Sequence, residues 1–126
     1  MTIGPISNSP FYSPNVPPQL AAAFAQFAQA FLNPHYASSP HKNYLNYINA
    51  FTHLSDMYEQ YAGSLTKTQS AQMNQFFETF GALAAGGEVG LVGIQMLYHS
   101  EPNAAGTIFM SQLLQDASKI FPGTPL

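Results

Sequence analysis

The chain has 126 residues, the length of one domain, and no cysteine, which excludes disulfides and thiolate chemistry. Only 7% of its residues are charged: three lysines and six acidic residues, with no arginine, give a formal net charge of −3. Binding to nucleic acid requires several basic side chains to neutralise phosphates, so this composition argues against it. Low charge also removes one barrier to self-association.

The N-terminal residues 1–16 hold several prolines among serine and asparagine, which predicts an extended arm. The aromatic pair Phe11 and Tyr12 is expected to pin this arm to the domain, because aromatic burial is large. The arm shows no signal peptide, so we expect either a cytoplasmic protein or the mature part of a secreted one. The longest apolar run, Gly81–Leu97, is interrupted by Glu88 and by five glycines, counting Gly81 itself. It is too short and too broken to span a bilayer, so no membrane association is predicted.

Apolar residues at helical spacing predict five helices, and no strand-like alternation is found. The strongest signals belong to the third helix, in which Thr66 and Gln69 form a capping box and Gly86-Gly87 ends the helix. We therefore expect the other segments to be organised around this stretch. The fold class predicted is an all-α five-helix bundle. The predicted helices span about residues 15–32, 40–62, 67–85, 88–98 and 104–121, within a domain of residues 17–122 and before a tail of residues 123–126.

The fourth predicted helix is apolar nearly all round, so we expect it to be buried. Gly90 and Gly93 lie inside it, and a glycine in a helix costs about 1 kcal/mol relative to alanine. The best explanation is that another helix backbone comes close to these two positions.

Tyrosines recur along the second predicted helix, and they allow two interpretations. Their hydroxyls could lie at the rim of an ordinary core, as is common for tyrosine. Alternatively, together with Asn43, Asn46 and Asn49, they could form a polar, aromatic face for a partner helix.

A search for catalytic chemistry finds no support for an enzyme or a cofactor. The four histidines are scattered without metal-ligand spacing, and no nucleophile motif or phosphate-binding glycine pattern occurs. Asp56 and Glu59 are the nearest acidic pair and could share a proton or bind a cation, but a solvated helix face explains them better.

Several stretches, in order along the chain, carry a resemblance to a known family. The arm Pro10–Pro14 is similar to a Pro-Trp-x-x-Pro motif that precedes the first helix in this family, with Phe11 in the tryptophan position. Pro18–Phe24 is similar to the start of the family's first helix. The segment Thr66–Met73 resembles the family's third helix, and Ala82–Gly90 resembles the Ala-rich and Glu/Gly-rich sequence at the end of that helix. With the final Ile120-Phe121, the similarity covers about residues 9–123. The family is the N-terminal domain of spidroins, the spider silk proteins.

The resemblance implies a secreted five-helix domain in the silk gland lumen, with other silk protein chains as partners. Such a domain keeps silk protein soluble at neutral pH and forms an antiparallel homodimer as the pH falls. The second, third and fifth helices build the family's interface, where a lysine at the start of the third helix meets acidic residues of the other subunit. Lys67 matches this lysine.

The family's acidic positions are largely neutral in this chain. The segment Leu45–Tyr47 replaces the acidic partners, and Ala82, Gly87 and Leu113 fall near the proton-accepting carboxylates, so that only Glu88 retains an acid. Contacts between apolar, tyrosine and asparagine groups should then dominate a dimer, and any pH response should come from the remaining acids or the histidines. The candidate interface and switch residues are Tyr47, Phe51, Asp56, Glu59, Lys67, Met73, Glu78 and Glu88.

Two other functions fit the same sequence. A capsid or filament subunit would also pack many copies through low-charge helix faces, and it differs from a closed dimer in the size of its assemblies. A small-molecule carrier would hold its ligand in a pocket between phenylalanine-rich helices.

Overall fold

The computed structural model describes residues 16–34 and 39–121. The predicted arm, apart from Val16, and the predicted tail lie outside the described residues, and so do Phe11 and Tyr12. Within the described ranges five α-helices pack together and no strand is present, so the predicted all-α bundle is confirmed. The helices are α1 (Pro18–Leu32), α2 (Pro40–Tyr61), α3 (Lys67–Ala85), α4 (Gly87–Ser100) and α5 (Ala105–Ile120), and a short 3-10 helix (Ala62–Ser64) follows α2.

The ends of α3 follow the predicted signals. The backbone N–H of Gln69 donates to the Thr66 hydroxyl at 3.1 Å, and the Thr66 N–H donates to the Gln69 side chain at 2.9 Å, which completes the capping box. At the other end Gly87 has a φ of +79°, a backbone conformation that residues with a Cβ rarely adopt. This glycine lets the chain turn from α3 into α4 with only Gly86 between them.

The centre of the core is α1, not the predicted third helix. Phe24, Phe27 and Phe31 of α1 are fully buried. Their rings contact aromatic rings on α2, α3 and α4, and that of Phe121 at the end of α5. Because α1 carries no charged residue and combines a phenylalanine in most turns with small alanines, neighbours can approach it on several sides. By contrast, α3 buries only Met73, Phe76 and Phe80 completely, so the expectation of an α3-centred domain is wrong.

Tyrosine hydroxyls of α2 hold it antiparallel to α3. Tyr44 donates to the Ala84 carbonyl and Tyr47 to the Phe80 carbonyl, both at 2.7 Å. Tyr58, further along α2, reaches the Ser70 carbonyl near the start of α3 at 3.4 Å. These hydroxyls are thus used inside the chain, at the edge of its core, as the first of the two interpretations predicts.

A buried amide pair joins α1, α2 and α4. The Asn43 side-chain amide donates to the Gln95 side-chain carbonyl at 2.7 Å. The Gln95 amide in turn faces the carbonyls of Ala30 and Phe31 at 3.5 and 3.4 Å, in the last turn of α1. Such terminal carbonyls lack a partner within their own helix, so Gln95 satisfies groups that would otherwise be buried without a hydrogen bond.

Candidate association surface

Large apolar side chains remain exposed on three of the helices. They are Leu45 on α2 (44% exposed), Val89 and Met96 on α4 (87% and 51%), and Ile108 and Phe109 on α5 (54% and 47%). Single exposed apolar residues are ordinary on protein surfaces, but contiguous ones indicate contact sites. The pairs on α4 and α5 therefore define two candidate surfaces.

The outward side of α4 carries no charge. Val89, Gly93, Met96 and Ser100 are separated by four, three and four residues, so they follow one another along one face, and all four are exposed. We call this the α4 face. The helix buries only Leu91 and Gln95 fully, so the expectation that α4 is buried is wrong.

The glycines of α4 lie in open space. A Cβ added at Gly90 or Gly93 would meet nothing within 4 Å. The expected close approach of another helix to these positions is therefore wrong for the described part of the chain. Neither close packing with another described residue nor a positive φ accounts for glycine at these two positions.

An apolar notch lies beside the α4 face. It has a volume of about 180 Å³ and is lined by Pro40 from the start of α2 and by Glu88, Val89 and Val92 from α4. Its rim carries the closest interhelical ion pair of the described residues, in which His41 Nδ1 and Glu88 Oε2 are 2.6 Å apart. This pair is largely exposed to solvent, so it contributes little to the stability of the fold.

The outward side of α5 is the second apolar surface. The helix turns Met110, Leu113, Leu114 and Ala117 into the core. Ile108 and Phe109 lie on the opposite side with Gln112, and we call these three residues the α5 face. Asp116 and Lys119 continue this side of the helix: Gln112 donates to the Asp116 carboxylate at 2.8 Å, and the Lys119 ammonium lies 3.5 Å from the same oxygen. Their opposite charges cancel, so this side of α5 has no net charge.

Four of the five charged candidates for the interface are exposed. Lys67 begins α3, Asp56 and Glu59 lie on α2, and Glu78 lies in the second half of α3. None of the four forms an ion pair with another described residue. Glu88, the fifth charged candidate, is the one that the fold gives a partner, His41.

The three apolar candidates belong to the core or its edge. Tyr47 and Met73 are fully buried, so in this conformation a second chain cannot contact them directly. Burial raises the pKa of the Tyr47 hydroxyl far above its ordinary value, which keeps it neutral. Phe51 is half-buried and packs against the rings of Phe27 and Phe77.

A larger cavity, of about 360 Å³, separates α5 from the C-terminal ends of α1 and α4. It is lined by Leu32, Tyr98, Ser111, Leu114, Gln115 and Ser118. Its polar α5 side chains already have partners within the helix, since Gln115 donates to Ser111 at 3.2 Å and Ser118 donates to the Gln115 carbonyl at 2.7 Å. With the Tyr98 hydroxyl, these groups give the cavity polar as well as apolar walls, and the small-molecule carrier stays a prediction.

Among the residues that the structure covers, no three histidine or acidic side chains are grouped to hold a metal ion. No helix in the same part of the chain is both long and apolar enough to cross a membrane. Comparison with protein-family models, with curated proteins and with solved structures finds no match for this chain.

Proposed function

We propose that this chain is a non-catalytic association domain that forms a homodimer, in the manner of the spidroin N-terminal domain that it resembles. The observation that carries the proposal is the α5 face. Ile108 and Phe109 are about half exposed there, on the helix that the resemblance assigns to the interface. Pairing this face with the same face of a second copy would remove apolar surface from water without bringing net like charges together.

In a silk protein, such a domain would be secreted into the gland lumen, keep the chain soluble at neutral pH and join it to other silk chains on acidification. The remaining acids Asp56, Glu59, Glu78 and Glu88, together with the histidines, are the proposed sites of the pH response, and histidine is the residue type whose reference pKa lies nearest the tested range. Protonating them reduces the net negative charge that two copies bring together, which favours pairing at lower pH. Because the α5 face is neutral, the dimer should depend only weakly on salt.

The test is sedimentation velocity at about pH 7.5 and about pH 5.5, which bracket the range where histidine titrates, in low and moderate salt. The parent chain is expected to form a discrete dimer that is stronger at the lower pH. Phe109→Asp is expected to shift it to monomer, because a charge would be buried without a partner. Gln19→Asp, on the exposed start of α1, makes a matched acidic control that should behave like the parent.

A parent chain that stays monomeric under all four conditions would contradict the proposal. Far-ultraviolet circular dichroism of each variant separates lost association from lost folding, and both substituted residues are exposed, so both variants should fold. A filament subunit is the second candidate, favoured by the presence of a separate apolar face on α4. Open-ended species that grow with concentration would support it instead of a closed dimer.

A further inference from the structure

We propose that the α4 face is a second self-association surface, at which α4 of one copy lies antiparallel against α4 of another across a two-fold axis near Gly93. This inference goes beyond the proposed dimer, because it uses a helix that the α5 contact does not need. It starts from the unexplained exposure of Val89 and Met96.

The chemistry of the face selects a second copy as its occupant. The face is apolar and neutral, and the one carboxylate beside it, Glu88, is already bonded to His41. A membrane surface is a poorer match, because helices that lie on membranes carry lysine or arginine beside the apolar face, and α4 has neither. A neutral surface that meets its own copy creates no like-charge repulsion, which is the condition for a symmetric contact.

The shape of the face is self-complementary. A two-fold contact uses the same patch on both copies, so that patch must offer both a protruding group and a recess. Val89 and Met96 protrude, and the notch beside Val89 provides the recess. With the axis near Gly93, residues equally far before and after it face each other. Met96 of the second copy then lies at the level of Gly90 along the helix, between Val89 and Val92, which line the notch.

The open glycines fit the same arrangement. Among the described residues nothing lies within 4 Å of a Cβ placed on Gly90 or Gly93, so no packing within that part of the chain requires glycine there. At a helix crossing, the absence of a Cβ lets two backbones approach closely, which places more atoms of each helix in contact.

The extent of α4 limits how strong this contact can be. Its 14 residues extend about 21 Å. One face of such a helix is smaller than the roughly 800 Å² per partner of a standard stable interface. The contact should therefore be weak by itself, and in a chain that also pairs through α5 it would join dimers into larger assemblies.

Disulfide trapping tests the contact directly, because the chain contains no cysteine of its own. Gly93→Cys places one thiol per chain at the proposed axis, where the two copies would lie within the 4.4–6.8 Å or so between Cα atoms that a disulfide needs. Under mild oxidation this variant is expected to form a covalent dimer at least about tenfold faster than Gln19→Cys, since pairing raises the local thiol concentration above the bulk value.

Adding Val89→Asp to Gly93→Cys should slow the cross-linking to the rate of the Gln19→Cys control. Val89 is in the first turn of α4 and is 87% exposed, and an acidic residue there interacts favourably with the helix dipole, so the variant should fold. Adding Phe109→Asp instead should leave the fast cross-linking intact. Cross-linking at the rate of the Gln19→Cys control would overturn the α4 contact, and the sedimentation test would still decide the α5 dimer independently.

Discussion

Replacing Gly93 by alanine is expected to stabilise the monomer. Gly93 lies in the middle of α4, is exposed, and has open space where a Cβ would be placed. Alanine has the best helix propensity and glycine costs about 1 kcal/mol relative to it, so the free energy of unfolding should rise by about 1 kcal/mol. With an unfolding entropy of about 2.1 cal/mol/K per residue, this gain corresponds to an increase in Tm of about 4 °C for a chain of 126 residues.

Two other glycines provide matched controls for the same substitution. At Gly87, where φ is +79°, alanine should destabilise by about 1–2 kcal/mol, because the left-handed conformation is strained for a residue with a Cβ. At Gly81 a new Cβ would lie 3.3 Å from the ring of Phe51, so part of the helix-propensity gain should be lost to crowding. The expected order of stability is Gly93→Ala, then Gly81→Ala, then Gly87→Ala.

Urea and thermal unfolding followed by circular dichroism measure this order, at protein concentrations low enough to keep the chain monomeric. A destabilised Gly93→Ala variant would refute the reasoning, since it would mean that the monomer already uses the open space around α4. The same result would remove the argument that these glycines serve a contact outside the monomer.

Two further predictions concern buried polar groups. Tyr47→Phe should lower the free energy of unfolding by about 1 kcal/mol, because it deletes the bond to the Phe80 carbonyl. The parent should also lose stability above about pH 10, because the unfolded chain releases the Tyr47 proton there and the folded chain retains it. Urea titrations across this pH range should show a smaller loss in the free energy of unfolding for Tyr47→Phe than for the parent. Gln95→Ala should lower the free energy of unfolding by about 2–4 kcal/mol, because it removes hydrogen bonds and leaves a cavity. The double variant Asn43→Leu, Gln95→Met should lose less free energy of unfolding than the sum of the losses in its two single variants. If the losses of the two single variants simply added up in the double variant, Asn43 and Gln95 would not be a coupled pair.

The helices could be predicted from the sequence because their signals are local. The capping box at Thr66 and the proline after Ser39 depend only on neighbouring residues, and α3 begins and ends at the predicted positions. The side of a helix that faces the core depends on which neighbours are available, and this information is not local. For this reason the predictions that α4 is buried and that α3 is the centre of the domain were wrong.

The candidate surface was harder to predict than the fold. Tyr47 and Met73 are among the predicted interface residues, but both also belong to apolar stripes, and such a stripe first fills the core of its own chain. The pairing of adjacent apolar residues at Phe109/Met110 was a usable signal, since only one of the two can face inward. The contact between His41 and Glu88 joins residues that are 47 positions apart, and no local pattern reveals it.

Sedimentation equilibrium of the unmodified chain over a wide concentration range tests the central claim most directly, because it measures the mass of the associated species. A self-associating domain predicts an average mass that rises from the monomer value to at least twice that value, and rises at lower concentration when the pH is lowered. A mass that stays at the monomer value at every concentration and pH would contradict it.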